Sequence, residues 1–256
     1  MASPVFSRYS LSKEKEMSGH SKWAGIKHKK AITDAKRGSS FTKLGNNITI
    51  AAKQGGGDPT LNALLRLAIE KARAANMSKE TIDRAVKRGT GELGGAIVEE
   101  LLFEGFGPGN TAILVEALTD NRNRTNADIR TLFNKNGGRI TDGGGVAFQF
   151  TQQGVIRAEV PADRLLAIEE AIIESGAEEY VFEETSAVIY SEIATLNSVK
   201  EAVEAAGAII DSAKIERIAK TLVAQDEQVL EKVEYLLDLL DANDDVGDIY
   251  TNLAEG

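Results

Sequence analysis

The predicted structure changes from helical to mixed at residues 98–119, VEELLFEGFGPGNTAILVEALT. Two segments rich in β-branched and aromatic residues flank a Gly/Pro-rich centre, which is the pattern of two β-strands joined by a turn. The GFGPGN segment lacks the G-x-x-x-x-G-K-[ST] pattern of a phosphate-binding loop, and it precedes a strand rather than a helix. We therefore predict a β-hairpin here, with an α+β region after it and helices before it.

The region after the hairpin alternates between helices and strands. Helices are predicted in NADIRTLFNKNGG, PADRLLAIEEAIIESGA, NSVKEAVEAAG and DEQVLEKVEYLLDLLDA. Strands are predicted in EEYVFEETSAVIYSE, AKIERIAKTLVAQ and DVGDIYTNL, and GGGVAFQFTQQGVIRAEV is predicted to form strand, turn and strand. This order indicates two small antiparallel sheets with helices on one face, and it leaves open whether they are sequential or nested.

The region before the hairpin has the periodicity of helices. Ser39 or Ser40 is predicted to cap one helix, which ends at QGGGDP. The core stripe of the next helix is predicted to be Leu61, Leu64, Ala68, Ala72 and Ala75. The last helix is predicted to start at Ser78, with Met77 and Ile82 as a hydrophobic staple, and to stop at Gly89.

The chain is acidic overall, with a formal net charge of −9, but the charge is divided unevenly. Residues 17–90 carry 15 Lys and Arg against five Asp and Glu, whereas residues 91–256 carry 12 against 32. This division is typical of a basic arm that binds a polyanion, joined to a soluble body. The alternative is that the two parts neutralise each other in the fold. The absence of cysteine excludes disulfides, and no apolar run is long enough to span a membrane.

The densest positive charge lies in residues 18–38, SGHSKWAGIKHKKAITDAKRG. On a helix over residues 22–37, a basic face would lie opposite a face of alanines and Ile32. A basic helix face favours phosphate backbones, because each contact releases counterions. Trp23 and Phe41 either offer a stacking surface or pack in a core. The predicted nucleic-acid-binding residues are Lys22, Trp23, Lys27, Lys29, Lys30, Lys36, Arg37, Lys43, Arg122 and Arg124.

A second basic cluster lies in the acidic half, between residues 122 and 139. Arg122 and Arg124 are predicted in the loop before a helix, where backbone N–H groups also favour anions. The alternative is a surface loop that pairs with neighbouring acids. If this cluster and the basic helix face the same way, the binding surface spans two domains.

Residues for catalysis or metal binding are sparse. The two histidines, His20 and His28, are eight residues apart and have no cysteine near them, which does not fit a metal site. The many carboxylates of the C-terminal half are dispersed, as on solvated faces. We expect no catalytic residue, no metal and no cofactor, and therefore no enzyme.

Long segments of the chain carry a family resemblance: GHSKWAGIKHKKAITDAKRGSSFTKL, NALLRLAIEKARAANMSKETIDRAVKRG, FEGFGPGNTAILVEALTDNRNRT, IRTLFNKNGGRI, GGVAFQF and DDVGDIYTNL. They resemble the YebC/PmpR family of proposed transcriptional regulators, which includes the mitochondrial translational activator of cytochrome c oxidase subunit one. The resemblance extends from Met17 to the region of Leu253. It departs from the family pattern at SSFTKL, where relatives often have a basic residue before the phenylalanine.

The resemblance implies an α+β multidomain fold, with a helical N-terminal domain and two ferredoxin-like α+β domains, one inserted in the other. The implied bounds are 17–90 for the basic helical domain, 91–138 with 219–256 for the first α+β domain, and 139–218 for the inserted one. Residues 1–16 are expected to be a disordered extension. A tag remnant, a start codon upstream of Met17 and a short targeting peptide are the alternatives for this segment.

The resemblance implies a non-enzymatic, nucleic-acid-binding regulator of gene expression, as a DNA-binding protein that regulates transcription. The alternative is an RNA-binding translation factor that contacts ribosomal RNA and relieves ribosome stalling, for example at consecutive prolines. A hydrolase or transferase and a protein–protein adaptor are the rival classes. We expect nucleic acid as the partner, no membrane, a monomer or weak oligomer, and the bacterial cytoplasm rather than an organelle as the location.

Overall fold

The structure, a computed structural model, describes residues 37–93, 98–141, 143–183 and 185–254. No helix in these ranges is long and apolar enough to cross a membrane. The first range is helical, with α1 (Arg37–Gly55), α2 (Ala63–Ala74) and α3 (Lys79–Gly89). Ser78 caps α3 by accepting a hydrogen bond from the Thr81 N–H, as predicted. Met77 and Ile82, the predicted staple, are both buried in the core that the three helices share.

The predicted core stripe of α2 is confirmed at Ala68 and Ala72 and wrong at Leu61 and Leu64. Leu61 and Leu64 were expected to face the core, but they are 84% and 54% exposed. The side chains that reach the core are Leu65, Ile69 and Ala72. Asn62 sets this register, because its side chain caps α2 and also donates a hydrogen bond to the Ala51 carbonyl of α1 at 2.8 Å.

The predicted start of α1 is also wrong, whereas the predicted end of α3 is confirmed. Ser39 and Ser40, predicted as caps, lie inside α1. Gly89, predicted as a helix stop, is the last residue of α3, and the left-handed residue beyond it is Gly91, with φ of 81°. Gly89 is also required for close packing, because a Cβ there would overlap the carbonyl oxygen of Thr49 in α1.

Replacing Gly89 with alanine should destabilise the helical domain by about 1–3 kcal/mol, because α1 and α3 would have to separate. Gly45→Ala is the matched control, since Gly45 lies in α1 and a Cβ there has no atom within 4 Å. The control should be neutral or more stable by about 0.5–1 kcal/mol, the usual gain from removing a helical glycine. Thermal unfolding followed by circular dichroism measures both, and a loss of stability no larger for G89A than for G45A would contradict the packing argument.

The rest of the described chain forms eight strands and four helices. In chain order they are β1 (Glu99–Phe106), β2 (Ala112–Thr119), α4 (Arg122–Lys135), β3 (Arg139–Ile140), β4 (Phe150–Glu159), α5 (Leu165–Glu174), β5 (Glu179–Glu183), β6 (Ser186–Ser191), α6 (Leu196–Ala205), β7 (Ile209–Ala219), α7 (Glu227–Asp241) and β8 (Val246–Thr251). The hairpin predicted at residues 98–119 is confirmed as β1 and β2, joined by a short 3-10 turn at Pro108–Asn110.

The strands form two antiparallel sheets, ordered β3-β1-β2-β8 and β5-β6-β4-β7. The second sheet and its helices lie between β3 and α7 in the chain, so this unit is inserted in the first one, and the α+β multidomain fold is confirmed. The inserted unit has the β-α-β-β-α-β order of a ferredoxin-like sandwich. The pairing of β3 with β1 places residues 139–140 in the first sheet, two residues beyond the boundary implied at 138.

Each sheet buries one face under two helices. In the first unit α4 and α7 cover the sheet, and the predicted inward residues of α7 are buried or packed against the core: Val229, Val233, Leu236, Leu237 and Leu240. In the inserted unit α5 and α6 do the same around Ile156, Ile168 and Ile189. Full burial of each such side chain stabilises its unit by about 1.5–3 kcal/mol.

Two predictions for the inserted unit are wrong. GGGVAFQFTQQGVIRAEV was expected to form two strands, but residues 150–159 form one strand, preceded by a 3-10 turn at Ala147–Gln149. This strand pairs with β7 along its whole length and with β6 from Gly154 onward, so the ladder with β7 keeps its polar QQG portion extended. The helix predicted from Pro161 begins only at Leu165.

The entry into the inserted unit is held by a buried carboxylate. Glu104 of β1 is 7% exposed and accepts hydrogen bonds from the backbone N–H groups of Gly144, Val146 and Ala147 at 2.7–2.8 Å. Burial alone would raise the pKa of Glu104, but these three N–H groups outweigh it and lower the pKa. The ionised side chain therefore ties the connecting segment to the first sheet.

Replacing Glu104 with glutamine should weaken this attachment, because an amide cannot accept three hydrogen bonds in the same geometry. We expect faster amide hydrogen exchange at Gly144, Val146 and Ala147, by about 10-fold or more for a loss of 1.5–3 kcal/mol. The lowered pKa stabilises the folded state above about pH 4.3, and this contribution disappears as the pH falls through the folded pKa. The difference between wild type and E104Q should therefore shrink in acid.

The control is Glu159→Gln, which replaces an exposed carboxylate of β4. NMR hydrogen exchange at several pH values compares the three proteins. Equal exchange rates at these amides in E104Q and wild type at neutral pH would contradict the proposed role of Glu104.

Candidate nucleic-acid interface

Most of the predicted binding residues lie outside the described part of the chain. These are Lys22, Trp23, Lys27, Lys29, Lys30 and Lys36. The two histidines, His20 and His28, also lie outside it. Arg37 lies in α1, without a described side chain. The predicted basic helix thus stays a prediction, and the structure places three of the predicted side chains: Lys43, Arg122 and Arg124.

Lys43 connects the helical domain to the first α+β unit. Its ammonium group binds Asp241 at the end of α7, through the backbone carbonyl and through the carboxylate, where Nζ is 3.2 Å from Oδ1. The side chain is only 19% exposed. Asn46, one turn further along α1, donates to the carbonyl of Leu118 at 3.2 Å. These contacts favour a structural role for Lys43, and its role as a nucleic-acid contact stays a prediction.

Arg122 and Arg124 lie in the first turn of α4 rather than in the loop before it. Asn121 starts this helix, because its side chain accepts the N–H of Arg124. Arg122 is 67% exposed and lies 3.7 Å from a Glu99 oxygen, a distance typical of a weak surface pair. The prediction of a loop was wrong because Asn121 was not recognised as an N-cap.

Arg124 belongs to a polar network around a buried carboxylate. Its Nη2 lies 2.9 Å from Oδ2 of Asp245, whose side chain is 10% exposed. The same oxygen accepts a 2.7 Å hydrogen bond from the Thr125 hydroxyl. The hydrogen bond and the charge of Asp245 raise the pKa of Arg124 above its usual value. The side chain of Arg124 is thus largely committed to stabilising the start of β8.

The basic cluster predicted between residues 122 and 139 is divided along α4. Arg122 and Arg124 occupy the first turn, and Lys135 and Arg139 lie at or beyond the last turn. A helix of 14 residues is about 21 Å long, at 1.5 Å per residue. Arg130 is exposed between the two ends of the helix. The cations are therefore spread along α4 and do not form one compact patch.

The largest group of exposed, unpaired cations in the described helical domain lies on α2 and α3. Arg84, Lys87 and Arg88 occupy the face of α3 opposite the buried residues Ile82 and Ala85. The exposed cations of the two helices are Arg66, Lys71, Arg73, Lys79, Arg84, Lys87 and Arg88, and within the described residues none of them forms an ion pair. None of these residues is among the predicted nucleic-acid-binding residues. Their i, i+3 and i+4 spacing opposite an apolar stripe was the available signal.

Cations between the two sheets have carboxylate partners. Arg217 Nε lies 2.8 Å from Glu116 Oε1, and Lys214 Nζ lies 2.7 Å from Asp248 Oδ1. Arg157 binds both carboxylate oxygens of Glu216. Burial lowers the pKa of Lys214, but Asp248 and Glu216 raise it more, so the net shift is upward. These ion pairs lie within the α+β units, and among the described residues none includes a cation of α2 or α3.

Comparison with known proteins agrees with this architecture. Residues 21–92 match the TACO1/YebC protein N-terminal domain, and residues 98–253 match the TACO1/YebC second and third domain. A probable transcriptional regulatory protein of Persephonella marina is 49% identical over 240 residues, which cover 92% of this chain and 95% of that protein. A protein of Shewanella oneidensis with the same description is 46% identical over 237 residues, again covering 92% and 95%.

A solved structure has the same fold. The crystal structure of a conserved hypothetical protein from Aquifex aeolicus superposes with a TM-score of 0.81 at 42% identity, and the match covers 91% of this chain and 96% of that one. The chain is therefore a protein of one helical and two nested α+β units, with exposed cations on its helical part. It belongs to the TACO1/YebC family, as the resemblance to YebC/PmpR proteins predicted. Many of its relatives are named probable transcriptional regulatory proteins.

The two arginines of α4 should differ in their effects on stability. Arg124→Ala should lower the free energy of unfolding by about 1–2 kcal/mol, because Asp245 loses a charged partner at a half-exposed site. Arg122→Ala should change it by less than about 0.5 kcal/mol. Urea unfolding of both variants measures the difference, and equal effects would contradict the structural role assigned to Arg124.

Proposed function

We propose that this protein is a non-enzymatic, DNA-binding transcriptional regulator whose helical domain binds the phosphate backbone. The observation that carries this proposal is the face of α3 formed by Arg84, Lys87 and Arg88. These three cations are exposed, and they have no ion-pair partner among the described residues. The similarity of this chain to probable transcriptional regulatory proteins supports the assignment.

The electrostatics of this face suit a polyanion. Described residues 37–93 hold ten Lys and Arg against five Asp and Glu, while the complete chain has a net charge of −9. Free cations on a helix exchange their counterions for phosphates, and this release of counterions drives binding. Because the excess of acidic charge lies in residues 91–256, the helical domain is the part that attracts nucleic acid most strongly.

The carboxylates between the sheets support a non-enzymatic role. Glu116, Glu216 and Asp248 each bind a cation, and Glu104 binds backbone N–H groups. A general acid or base needs a carboxyl group that can exchange protons with a substrate. In the part of the chain that the structure describes, these side chains act in ion pairs and hydrogen bonds.

Phosphate contacts alone do not distinguish duplex DNA from folded RNA. A translation factor that binds ribosomal RNA and relieves stalling at consecutive prolines would use the same cations. The experiment must therefore present both nucleic acids to the same variants.

Reversing two charges of α3, in Arg84→Glu with Arg88→Glu, should weaken binding and reduce the dependence of log Kd on log salt by about 2. Fluorescence anisotropy across a salt series measures this with a DNA duplex and with a fragment of ribosomal RNA. A loss of affinity confined to the RNA would favour the translation factor over the transcriptional regulator.

The control is Arg164→Glu with Lys220→Glu, which changes the net charge equally on exposed residues of the inserted unit and its exit. It should leave the salt slope unchanged. An equal loss in the control would mean that overall charge, and not the face of α3, governs binding. Unchanged binding by R84E/R88E to both nucleic acids would overturn the proposal.

A further inference from the structure

We propose that a groove at the end of the first α+β unit binds an unpaired segment of nucleic acid by base stacking. The inference rests on the proposed nucleic-acid binding and adds a second site with its own ligand class. The groove has a volume of about 620 Å³, within the range of sites that hold small molecules. Its lining residues are Pro108, Gly109, Asn136, Gly137, Val229, Glu231, Lys232 and Tyr235.

The groove lies at the opposite end of α4 from Arg122 and Arg124. One wall is the Pro108–Asn110 turn, another is the turn after α4, and the third is the first half of α7. The site is thus separated from the cations of the first turn of α4 by about the 21 Å length of that helix. It also differs from the face of α3, which belongs to the helical domain.

The walls of the groove are held rigidly. Gly109 has φ of 64°, and a Cβ there would lie 2.5 Å from Oε1 of Gln225 and 2.6 Å from a methyl group of Val229. The Gln225 amide also donates to the Gly109 carbonyl at 3.0 Å. On the neighbouring turn, Gly137 has φ of 75°. A preformed groove loses less entropy when it binds a ligand than a mobile one does.

An aromatic ring and a cation line the groove together. Tyr235 is 60% exposed although it is a large aromatic side chain, and Lys232 lies three residues earlier on the same face of α7. A ring beside an ammonium group can stack on a base while the ammonium binds the adjacent phosphate. Glu231 adds a carboxylate, which accepts hydrogen bonds from base amino groups.

A second cation is fixed next to the groove. The guanidinium of Arg139 lies 4.7 Å from the centre of the Phe106 ring, and both of its terminal nitrogens are 3.2 Å from Oδ1 of Asn110. Asn110 follows Gly109 of the groove wall, so this cation is oriented beside the opening. The positive charges of Arg139 and Lys232 complement a phosphate chain that crosses the groove.

Unpaired nucleotides fit this chemistry better than a duplex. Stacking on Tyr235 requires an exposed base face, which paired bases inside a duplex do not offer. The protein groove is formed by a turn and the side of a helix. Among the described residues it presents no protruding helix of the kind that inserts into the major groove of duplex DNA. Single-stranded segments and the loops of folded RNA supply the required bases.

Tyr235→Ala should weaken binding of a fluorescent oligothymidylate about 10-fold, and it should leave binding of the duplex of that oligonucleotide with oligoadenylate unchanged. Tyr235→Phe is the matched control, because it keeps the ring and should bind like wild type. Fluorescence anisotropy at constant salt measures both probes. An RNA hairpin with a loop of uridines should show the same loss of affinity in Y235A as the single strand does.

Several outcomes would overturn the inference. They are unchanged oligothymidylate binding by Y235A, an equal loss on the duplex, an equal loss in Y235F, and no oligothymidylate binding by the wild-type chain. R84E/R88E separates this inference from the proposed function, because that variant tests the face of α3 with the duplex. If duplex binding depends on α3 but Y235A binds oligothymidylate as wild type does, the proposed function is supported and the groove is ruled out as a binding site.

Discussion

The buried carboxylate of Glu104 is the interaction on which the arrangement of the two α+β units depends. A second sheet is inserted into the first, so the chain must leave and re-enter one unit at neighbouring points. Glu104 holds the exit through three backbone N–H groups, and the segment it holds then packs Val146 and Phe150 against the open face of the first sheet. Charge-assisted hydrogen bonds to a buried carboxylate are strong and directional. The connecting segment is therefore ordered, and it holds the two sheets in the position in which the ion pairs between them form.

The distribution of ion pairs separates structural cations from those that remain available to a ligand. Lys214, Arg217 and Arg157 neutralise carboxylates between the sheets, and Lys43 joins α1 to the end of α7. The cations of α2 and α3 form no ion pair in the described part of the chain. Lys71 of α2 lies near the charged groups of the α+β units, and its partial burial there lowers its pKa. Partner geometry and exposure thus carry the functional argument, whereas the number of positive charges does not. Arg124 was selected from the sequence for its charge, but its principal partner is Asp245.

Much of the fold was predictable from local patterns. The β1–β2 hairpin follows from a Gly/Pro turn between two β-rich segments, and α7 follows from its heptad-like apolar spacing. The failures share a cause, which is that the deciding partner is distant in sequence. Asn62 fixes the start of α2 by binding α1, and β4 stays extended through residues 152–154 because it pairs there with β7, which lies far along the chain. Gly89 ends α3 as predicted, but its packing constraint, the carbonyl of Thr49 forty residues earlier, was not visible in the sequence.

The sequence by itself determined the class of fold, the positions of most helices and strands, the uneven division of charge and the family. It did so because periodicity, turn residues and charge are properties of short segments. Only the tertiary structure decided which cations are paired, how the cations of residues 122–139 are distributed, and that Tyr235 and Lys232 share a groove with the Pro108–Asn110 turn. These outcomes depend on contacts between segments as far apart as β1 and α7. Such contacts arise from sheet order and packing, which no local pattern encodes.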